Sequence, residues 1–234
     1  NRGYGGNQKT CYAEALRHYR EITGIRRRLL AELLRDPPDA FIGVDAPDFN
    51  LGLEERLRDA GIRTVHFISP SIWAWRAGRV HTVGRAADLV LCLFPFEPAL
   101  YAKHGIAASY VGHPLADAIP LEVPREASRA ALGLAQDATV VALLPGSRRS
   151  EIEYNAPRLF GAALRMHRAR PGLRFVLPLA PGLRAMVEPI RDREAAAIPI
   201  ELVDGRSHDA LGACDAAIVA SGTATLEAAL FKAP

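Results

Sequence analysis

Three predicted strand-to-helix junctions carry residues whose types and spacing suit chemistry. In the first, Asp45 follows the short apolar run 41–44 and precedes Pro47. The run is too short for a helix, and Pro47 cannot donate to a sheet, so a buried strand is predicted to end at Asp45. Open α/β sheets bind ligands at the carboxyl ends of their strands. Asp45 is therefore the first candidate for a catalytic acid or base.

The other two junctions favour an anionic ligand. In Leu144-Pro145-Gly146-Ser147-Arg148, glycine lets the backbone approach a ligand, serine and the helix amides donate hydrogen bonds, and arginine adds a bidentate positive charge. In Ala220-Ser221-Gly222-Thr223, small residues bring a helix N-terminus close to a ligand, and Glu227 follows one turn later to accept from ribose hydroxyls. Packing is the usual role of each junction alone. Together they predict a nucleotide-diphosphate site formed by Gly146, Ser147, Arg148, Ser221, Gly222, Thr223 and Glu227.

The elements that must position these junctions alternate along the chain. Apolar runs predict strands at 41–44, 64–69, 88–94, 109–113, 139–144, 174–177, 200–203 and 216–220, with helical patterns between many of them. This alternation predicts an α/β fold with two doubly wound Rossmann-like domains facing each other across a cleft. Residues 11–120 would form the N-terminal domain and residues 135–234 the C-terminal domain, joined by a proline-punctuated linker, with residues 1–10 as a disordered lead-in.

Two helix starts are predicted from capping residues. Asp48 or Asn50 can cap the helix after Asp45, so Asp48 is interpreted as structural and Asp45 as functional. Ser150-x-x-Glu153 has the pattern of a capping box for the helix that runs to residue 170.

Four aromatic or imidazole side chains near the predicted strands have a common structural explanation. His66 and His113 are expected to be hydrogen-bonded core or loop residues. Trp73 and Trp75 are expected to pack, although near an acylated substrate they could line an apolar wall.

Composition narrows the class of protein. A hydrophobic content of 49% and a charged content of 24% are typical of a soluble globular protein. No apolar run reaches the roughly 20 residues of a membrane span, and no segment has the layout of a secretory signal. Cys11, Cys92 and Cys214 are far apart, without metal-type spacing. Cys92 and Cys214 lie in apolar strand patterns and are expected as core thiols in a reducing, cytoplasmic compartment.

The basic residues are unusual in kind, since only three of the 29 are lysine and the rest are arginine. They are scattered and rarely interleave with aromatics, which argues against nucleic-acid binding. Several decorate the helix at 11–35, which fits either a solvated outer face or an anionic membrane surface. The absence of a full Gly-x-Gly-x-x-Gly fingerprint and of a Walker lysine argues against dinucleotide and ATP chemistry.

Six motifs occur in the order found in lipid-A-disaccharide synthases, and the chain resembles that family from about residue 12 to 234. They are Val44-Asp45-Ala46-Pro47-Asp48-Phe49-Asn50, Ser69-Pro70-Ser71-Ile72-Trp73-Ala74-Trp75-Arg76, Phe94-Pro95-Phe96-Glu97, Val111-Gly112-His113-Pro114, Leu144-Pro145-Gly146-Ser147-Arg148 and Ala220-Ser221-Gly222-Thr223-Ala224-Thr225-Leu226-Glu227. The family also has a strand with a Gly-Glu-x-Ser-Gly-Asp loop before the matched region and more sheet after it, so both domains are expected to be incomplete here.

The resemblance implies a GT-B fold and an inverting glycosyl transfer. UDP-2,3-diacylglucosamine would be the donor, 2,3-diacylglucosamine 1-phosphate the acceptor, and the lipid A disaccharide precursor and UDP the products. It implies Asp45 as general base and Arg148 as the arginine of the Pro-Gly-Ser-Arg motif. It also implies no metal or other cofactor, and a peripheral location on the cytoplasmic face of the inner membrane.

Other interpretations stay open at this point. The chain could be another GT-B enzyme acting on a UDP-sugar, such as an epimerase, although Trp73-Ala74-Trp75-Arg76 argues against that. It could also be an inactive fragment that binds only nucleotide or membrane. Whether the protein forms a homodimer is left open as well.

Overall fold

The computed structural model describes residues 8–72 and 78–234, with the side chains of the first helix described from residue 19 onward. The described chain divides into two compact units at His113/Pro114. Each unit is built on a four-stranded, all-parallel sheet with α-helices packed against it. The predicted α/β class with two parallel sheets is confirmed. All eight predicted strands are present, with ends that differ from the predicted ones by at most three residues.

The first unit has strand order β1-β2-β3-β4. Its elements are α1 (Gln8–Arg35), β1 (Ala40–Val44), α2 (Pro47–Asp59), β2 (Arg63–Phe67), α3 (Arg79–Ala86), β3 (Leu89–Cys92), α4 (Glu97–Ala102) and β4 (Ala108–Tyr110). Residues 1–7, part of the expected lead-in, lie outside the described residues, and α1 begins at Gln8. The segment Trp73-Ala74-Trp75-Arg76 also lies outside them.

The two faces of the first sheet differ. One face carries Gly43, His66 and Val90 in register, and the apolar residues of α2, α3 and α4 pack around it. The helix α1 packs in turn on α2 through Leu29, Leu30 and Leu33. The opposite face is only partly covered, since Ile42 is 58% exposed and Val44 is 55% exposed.

The second unit has strand order β7-β6-β5-β8. Its elements are α5 (Pro114–Ala118), α6 (Arg125–Ala131), β5 (Val140–Leu144), α7 (Arg149–Ala169), β6 (Arg174–Leu179), α8 (Arg184–Ala195), β7 (Ile200–Asp204), α9 (Ser207–Ala213), β8 (Ala216–Val219) and α10 (Thr223–Leu230). Alternate residues of β5 face two separate cores. One core contains α7 and α8, and the other contains α5, α6, α9 and α10, so this sheet is doubly wound.

Residues 114–138, expected as a linker and a short helix, lie in the second unit. Ile119 and Leu132 are buried in one of its two cores. The guanidinium of Arg129 is 2% exposed and donates to the carbonyl of Ala213 at 3.0 Å and to Asp215 Oδ2 at 2.9 Å. This buried arginine, with its hydrogen-bond donors satisfied, links α6 to the start of β8. The proline-rich segment is therefore packed against the second unit and is not a free linker.

Candidate functional site

A cleft of about 710 Å³ opens along the carboxyl ends of the second sheet. Its walls come from the segments that follow β5, β6, β7 and β8, which is the edge where open α/β sheets bind ligands. The cleft brings together all seven residues that the sequence predicted for a nucleotide diphosphate: Gly146, Ser147, Arg148, Ser221, Gly222, Thr223 and Glu227.

The two junctions meet because their strands are neighbours. Strands β5 and β8 pair in parallel with Leu144 opposite Val219, and the N–H of Ala220 donates to the carbonyl of Leu144 at 2.9 Å. The chain then leaves both strands at the same level of the sheet. Segments separated by more than 70 residues in sequence therefore form one wall of the cleft.

Gly146 makes the turn that aims the first junction into the cleft. Its φ is +121°, a conformation that side chains rarely adopt. A Cβ on this residue would lie 2.6 Å from the Cβ of Glu151, which is closer than real Cβ contacts. The position therefore requires glycine for two independent reasons.

Glu151 caps the helix at this junction, and the sequence interpretation missed it. Its Oε2 accepts the N–H of Ser147 at 2.9 Å and the N–H of Arg148 at 3.1 Å. These two backbone bonds, followed by the Arg148 side chain, lower the pKa of the Glu151 carboxyl. The predicted capping box of Ser150 and Glu153 is wrong, because the helix begins at Arg149 and places Glu151 at its third position.

Arg148 projects from the same turn into solvent. Its side chain is 79% exposed, and Nη1 donates to Glu151 Oε1 at 2.6 Å. The carboxylate of Glu151 thus occupies the donors that a phosphate group would use, and it offsets the charge of Arg148. Because the guanidinium is exposed and carried on a long side chain, it is free to turn from Glu151 to an incoming anion.

The second junction presents the N-terminus of α10. Gly222 precedes the helix, and the carbonyl of Gly222 accepts both the N–H and the hydroxyl of Thr225, at 3.1 and 2.6 Å. The first turn contains no side-chain cap within the described residues and no acidic residue. Helix N-termini of this kind attract anions through free amides and the helix dipole.

Glu227 lies one turn into α10 and lines the cleft half-buried. Within the described residues its carboxylate forms no ion pair, so its oxygens are available to hydroxyl donors.

The sequence interpretation did not foresee two further residues of the cleft, Asn155 and Ser207. Asn155 Nδ2 donates to the carbonyl of Pro145 at 2.8 Å and so braces the glycine turn from α7. No sequence pattern marks Asn155 for this role, because it is one polar residue in the second turn of a helix.

Asp45 belongs to the first unit and lies just beyond the end of β1. Its N–H donates to the carbonyl of Phe67 at 2.9 Å, which continues the pairing with β2 by one residue. Its side chain is exposed. Asp45 and Ala46 have φ values of +50° and +41°, a left-handed conformation that costs about 1–2 kcal/mol for each residue other than glycine.

Neither predicted cap of α2 is used as expected. The helix begins at Pro47 with Ala46 before it, and no side chain caps it. Proline suits the first helical position because it needs no amide partner there. Asp48 forms an ion pair with Arg79, while Asn50 Nδ2 donates to the carbonyls of Val44 and Asp45. Asp48 is thus structural, but as a link to α3 rather than as a cap.

The predicted core histidine is confirmed in an unusual form. His66 Nδ1 lies 2.8 Å from Glu54 Oε1, and both side chains are fully buried. The other ring nitrogen of His66 has no partner among the described residues. His113 contacts Phe94 at a ring-centroid distance of 6.2 Å.

Two of the three cysteines are confirmed as core residues. Cys92 and Cys214 are free and buried, and burial raises the pKa of their thiols to about 12 and about 11. The side chain of Cys11 lies outside the described residues. Over the described ranges, no group of three or more His, Cys, Asp or Glu could hold a metal ion. No helix in the same ranges is long and apolar enough to span a membrane.

Solved structures share the fold. The UDP co-structure of MnaA from S. aureus has a TM-score of 0.64 at 16% identity and covers 91% of this chain and 62% of its own. The UDP-GlcNAc 2-epimerase of Neisseria meningitidis, bound to UDP-GlcNAc, has a TM-score of 0.64 at 15% identity, with 91% and 62% covered. At such low identity, these similarities establish a GT-B-like α/β fold and nothing more specific.

Sequence relatives are much more similar. The lipid-A-disaccharide synthase of Albidiferax ferrireducens is 59% identical over 221 residues, which is 94% of this chain and 57% of the relative. That of Burkholderia mallei is 55% identical over 224 residues, with 95% and 58% covered. The chain therefore spans a little more than half the length of these relatives. The family model for lipid-A-disaccharide synthetase matches residues 9–234. Over nearly its whole length, the chain belongs to the lipid-A-disaccharide synthase family.

Proposed function

We propose that the protein catalyses an inverting glycosyl transfer from UDP-2,3-diacylglucosamine to 2,3-diacylglucosamine 1-phosphate, which yields the lipid A disaccharide precursor and UDP. The observation that carries the proposal is that the β5–α7 and β8–α10 junctions, both suited to an anionic ligand, line one cleft of the second sheet. Membership of the family supports the substrates, since its curated relatives are named lipid-A-disaccharide synthase.

The cleft would bind the UDP part of the donor. The N-terminal amides of α10 and the guanidinium of Arg148 would hold the diphosphate, and Gly146 and Gly222 would let the backbone approach it. Glu227 would accept hydrogen bonds from the ribose hydroxyls. Two solved structures of the same fold are described with UDP or UDP-GlcNAc, which supports a uridine nucleotide.

Asp45 would act as the general base. It would remove the proton of the acceptor hydroxyl while the hydroxyl oxygen forms a bond to the anomeric carbon. The bond from that carbon to UDP breaks in the same displacement, and UDP leaves with the electron pair. A single displacement inverts the configuration. The positive clamp on the diphosphate stabilises the leaving group, so no general acid is required.

The surroundings of Asp45 support this assignment. Its carboxylate is exposed and forms no ion pair with any described residue, so an acceptor hydroxyl can reach it. The adjacent helix begins with Pro47, which lacks an N–H. An acceptor hydroxyl can therefore reach a carboxylate that no nearby helix amide occupies.

The test combines Asp45→Asn with two measurements. We expect the variant to bind UDP in calorimetry as the unchanged protein does, and to form disaccharide from the two lipid substrates about 100-fold to 10,000-fold more slowly. Full activity of the variant would remove Asp45 from the chemistry. UDP binding without transfer by the unchanged protein would favour the alternative of a nucleotide-binding fragment. Conversion of UDP-GlcNAc to its 2-epimer would favour the epimerase alternative.

We also propose that α1 holds the protein on the anionic cytoplasmic surface of the inner membrane. Tyr19, Ile22 and Ile25 are 64%, 47% and 44% exposed, so α1 presents large apolar side chains to solvent. Beside them, Arg26, Arg27 and Arg56 line a groove of about 290 Å³ between α1 and α2. Exposed apolar side chains next to arginines are the pattern of a helix lying in a lipid interface.

Vesicle flotation tests the membrane proposal. We expect Arg27→Gln to reduce binding to phosphatidylglycerol-containing vesicles severalfold, since one basic residue near an anionic surface contributes about 1 kcal/mol. Arg63→Gln is the matched control, because Arg63 is an exposed arginine of the same unit that does not line the groove. Equal losses in both variants would contradict a role specific to the groove.

A further inference from the structure

We propose that Asn50 is a positioning residue that holds the Asp45 carboxylate in its reactive orientation. The inference rests on the proposed role of Asp45 as general base and extends it to a residue that does not touch the substrate. Its basis is the way in which one side-chain amide contacts the backbone on both sides of Asp45.

The amide of Asn50 bridges two successive carbonyls. Asn50 Nδ2 donates to the carbonyl of Asp45 at 2.8 Å and to the carbonyl of Val44 at 3.1 Å. These carbonyls belong to the two peptide groups that flank the Asp45 Cα, and the Asp45 N–H is held by Phe67 at 2.9 Å. Fixing both peptide planes fixes φ and ψ of Asp45, and with them the direction of its Cα–Cβ bond.

The backbone needs such a restraint. Asp45 and Ala46 are consecutive left-handed residues, and neither is glycine. Such conformations persist only where surrounding contacts determine them, and they are frequent at functional sites. In an extended continuation of β1, the Asp45 side chain would follow the alternation of the strand. The left-handed turn directs it differently, and the two bonds from Asn50 hold that turn.

Asn50 is itself held by the packing of α2 on the sheet. It is 8% exposed, and its Cβ lies 3.1 Å from the place where a Cβ on Gly43 would lie. Glu54, one turn further along α2, passes the same gap in β1 and meets His66 of β2 in the fully buried pair. Gly43 therefore lets α2 approach closely, and the Glu54–His66 pair anchors the helix that carries Asn50.

The chemistry of the contact specifies asparagine. Two carbonyl oxygens can be satisfied only by a group that donates two hydrogen bonds, and the amide nitrogen is such a group. An aspartate of the same shape would place a carboxylate against both carbonyls and could donate to neither. Asn50→Asp is therefore a nearly isosteric substitution that removes the proposed interaction.

The experiment measures transfer and UDP affinity for Asn50→Asp. We expect the kcat for transfer to fall about 10-fold to 100-fold, as misplacement of a reacting group by about 1 Å does, with UDP affinity unchanged. Thr64→Val is the matched control. The Thr64 hydroxyl forms a buried hydrogen bond to the carbonyl of Ala86 at 2.8 Å, at the other end of the same sheet. This control destabilises the first unit without disturbing Asp45, so its kcat should stay normal.

A double-mutant cycle separates positioning from general stability. If Asn50 acts through Asp45, then adding Asn50→Asp to Asp45→Asn should not slow the residual transfer further. An equal loss with and without the Asp45 carboxylate would overturn the proposal, as would a normal kcat in Asn50→Asp. Full activity of Asp45→Asn alone would instead refute the base assignment. If Asn50→Asp does not fold by circular dichroism, Asn50→Ser removes the amide without adding charge, and the same outcomes apply.

Discussion

In the first unit, β1 leads into α2 through Asp45 and Ala46, whereas in the second unit β5 leads into α7 through Gly146 and Ser147. Both junctions follow a parallel strand and precede a helix, so each lies at the carboxyl end of its sheet, β1 at the edge of the first sheet and β5 inside the second. They differ in which groups they present. The first presents an exposed carboxylate, and the second presents backbone amides and a guanidinium.

The difference begins with the helix starts. At α2, Pro47 has no N–H, and the amides of Phe49 and Asn50 are already bonded to the carbonyl of Ala46, at 2.9 and 3.0 Å. At the α7 junction, the amides of Ser147 and Arg148 point at the carboxylate of Glu151. The β1–α2 junction therefore has little attraction for anions, whereas the amides of the β5–α7 junction already bind the carboxylate of Glu151.

The comparison shows that one kind of strand-to-helix junction can present groups suited to two different proposed tasks. A carboxylate that is to act as a base should accept few hydrogen bonds from helix amides, because such bonds lower its pKa. Glu151 is such an engaged carboxylate, and its pKa is lowered. A site for a diphosphate needs the opposite arrangement, with donors that an anion can reach. Substitutions at the two junctions test this contrast.

Gly146→Ala, in the β5–α7 junction, should produce the largest change in stability. The substitution places a Cβ against Glu151 and forces a side chain into a φ of +121°. We expect a loss of about 2–3 kcal/mol in the free energy of unfolding, measured by denaturant titration followed by circular dichroism. Gly161→Ala is the control, because Gly161 lies inside α7 with nothing near its Cβ position, and it should stabilise by about 0.5–1 kcal/mol. Similar effects of both substitutions would contradict a special turn at Gly146.

Arg148→Ala should weaken UDP binding about 10-fold to 100-fold in calorimetry, the loss expected for a hydrogen bond to a charged group. Arg149→Ala is the control, because Arg149 is adjacent and also exposed but does not line the cleft. In the first unit, Asp45→Asn should leave UDP affinity unchanged. Unchanged affinity in Arg148→Ala would remove the guanidinium from the donor site and leave only the helix amides there.

Glu151→Gln should give a smaller change, in the opposite direction. Removing the charge frees Arg148 and the two amides, so UDP affinity should rise about 3-fold to 10-fold. Glu153→Gln, an exposed neighbour outside the cleft, should leave affinity unchanged. Weaker binding in Glu151→Gln would mean that Glu151 arranges the site rather than competes for it.

The same variant carries a pH signature. The pKa of Glu151 is lowered in the folded protein, so its capping contribution is fully present above the ordinary carboxyl pKa and is lost as the pH falls through the folded value. Acid titration of stability should therefore be shallower in Glu151→Gln than in the unchanged protein. Identical acid titration curves would contradict the link between this carboxylate and the stability of α7.

Much of the fold was predictable because a buried parallel strand can be recognised from a short apolar segment of the sequence. The apolar runs that end at Asp45, Pro145 and Ser221 each become a strand of one of the two sheets. Proline and glycine mark where these strands must stop, so their carboxyl ends could be found without any knowledge of packing. Since ligands bind at those ends, the seven cleft residues were also predictable as one set.

Other features depended on which neighbour a residue meets. Residues 114–138 resemble a linker because of their prolines, yet Arg129 and Ile119 are buried in the second unit. Asn50 resembles a helix cap by type and position, but α2 begins at Pro47, so the amide turns back to Val44 and Asp45. Helix boundaries shift by a few residues at little cost, and a shift of that size changes the partner of every capping side chain.

The α/β class, the approximate strand ends, the family and the seven predicted cleft residues could be found from the sequence, because they follow from local apolar patterns and motifs. The three-dimensional structure was needed to see that Glu151 occupies the donors of the β5–α7 junction. It also shows that Asn50 clamps the backbone around Asp45 and that Gly43 makes room for the Glu54–His66 pair. These contacts depend on distances between a helix and a strand, which are set by packing and leave no periodic signal along the chain.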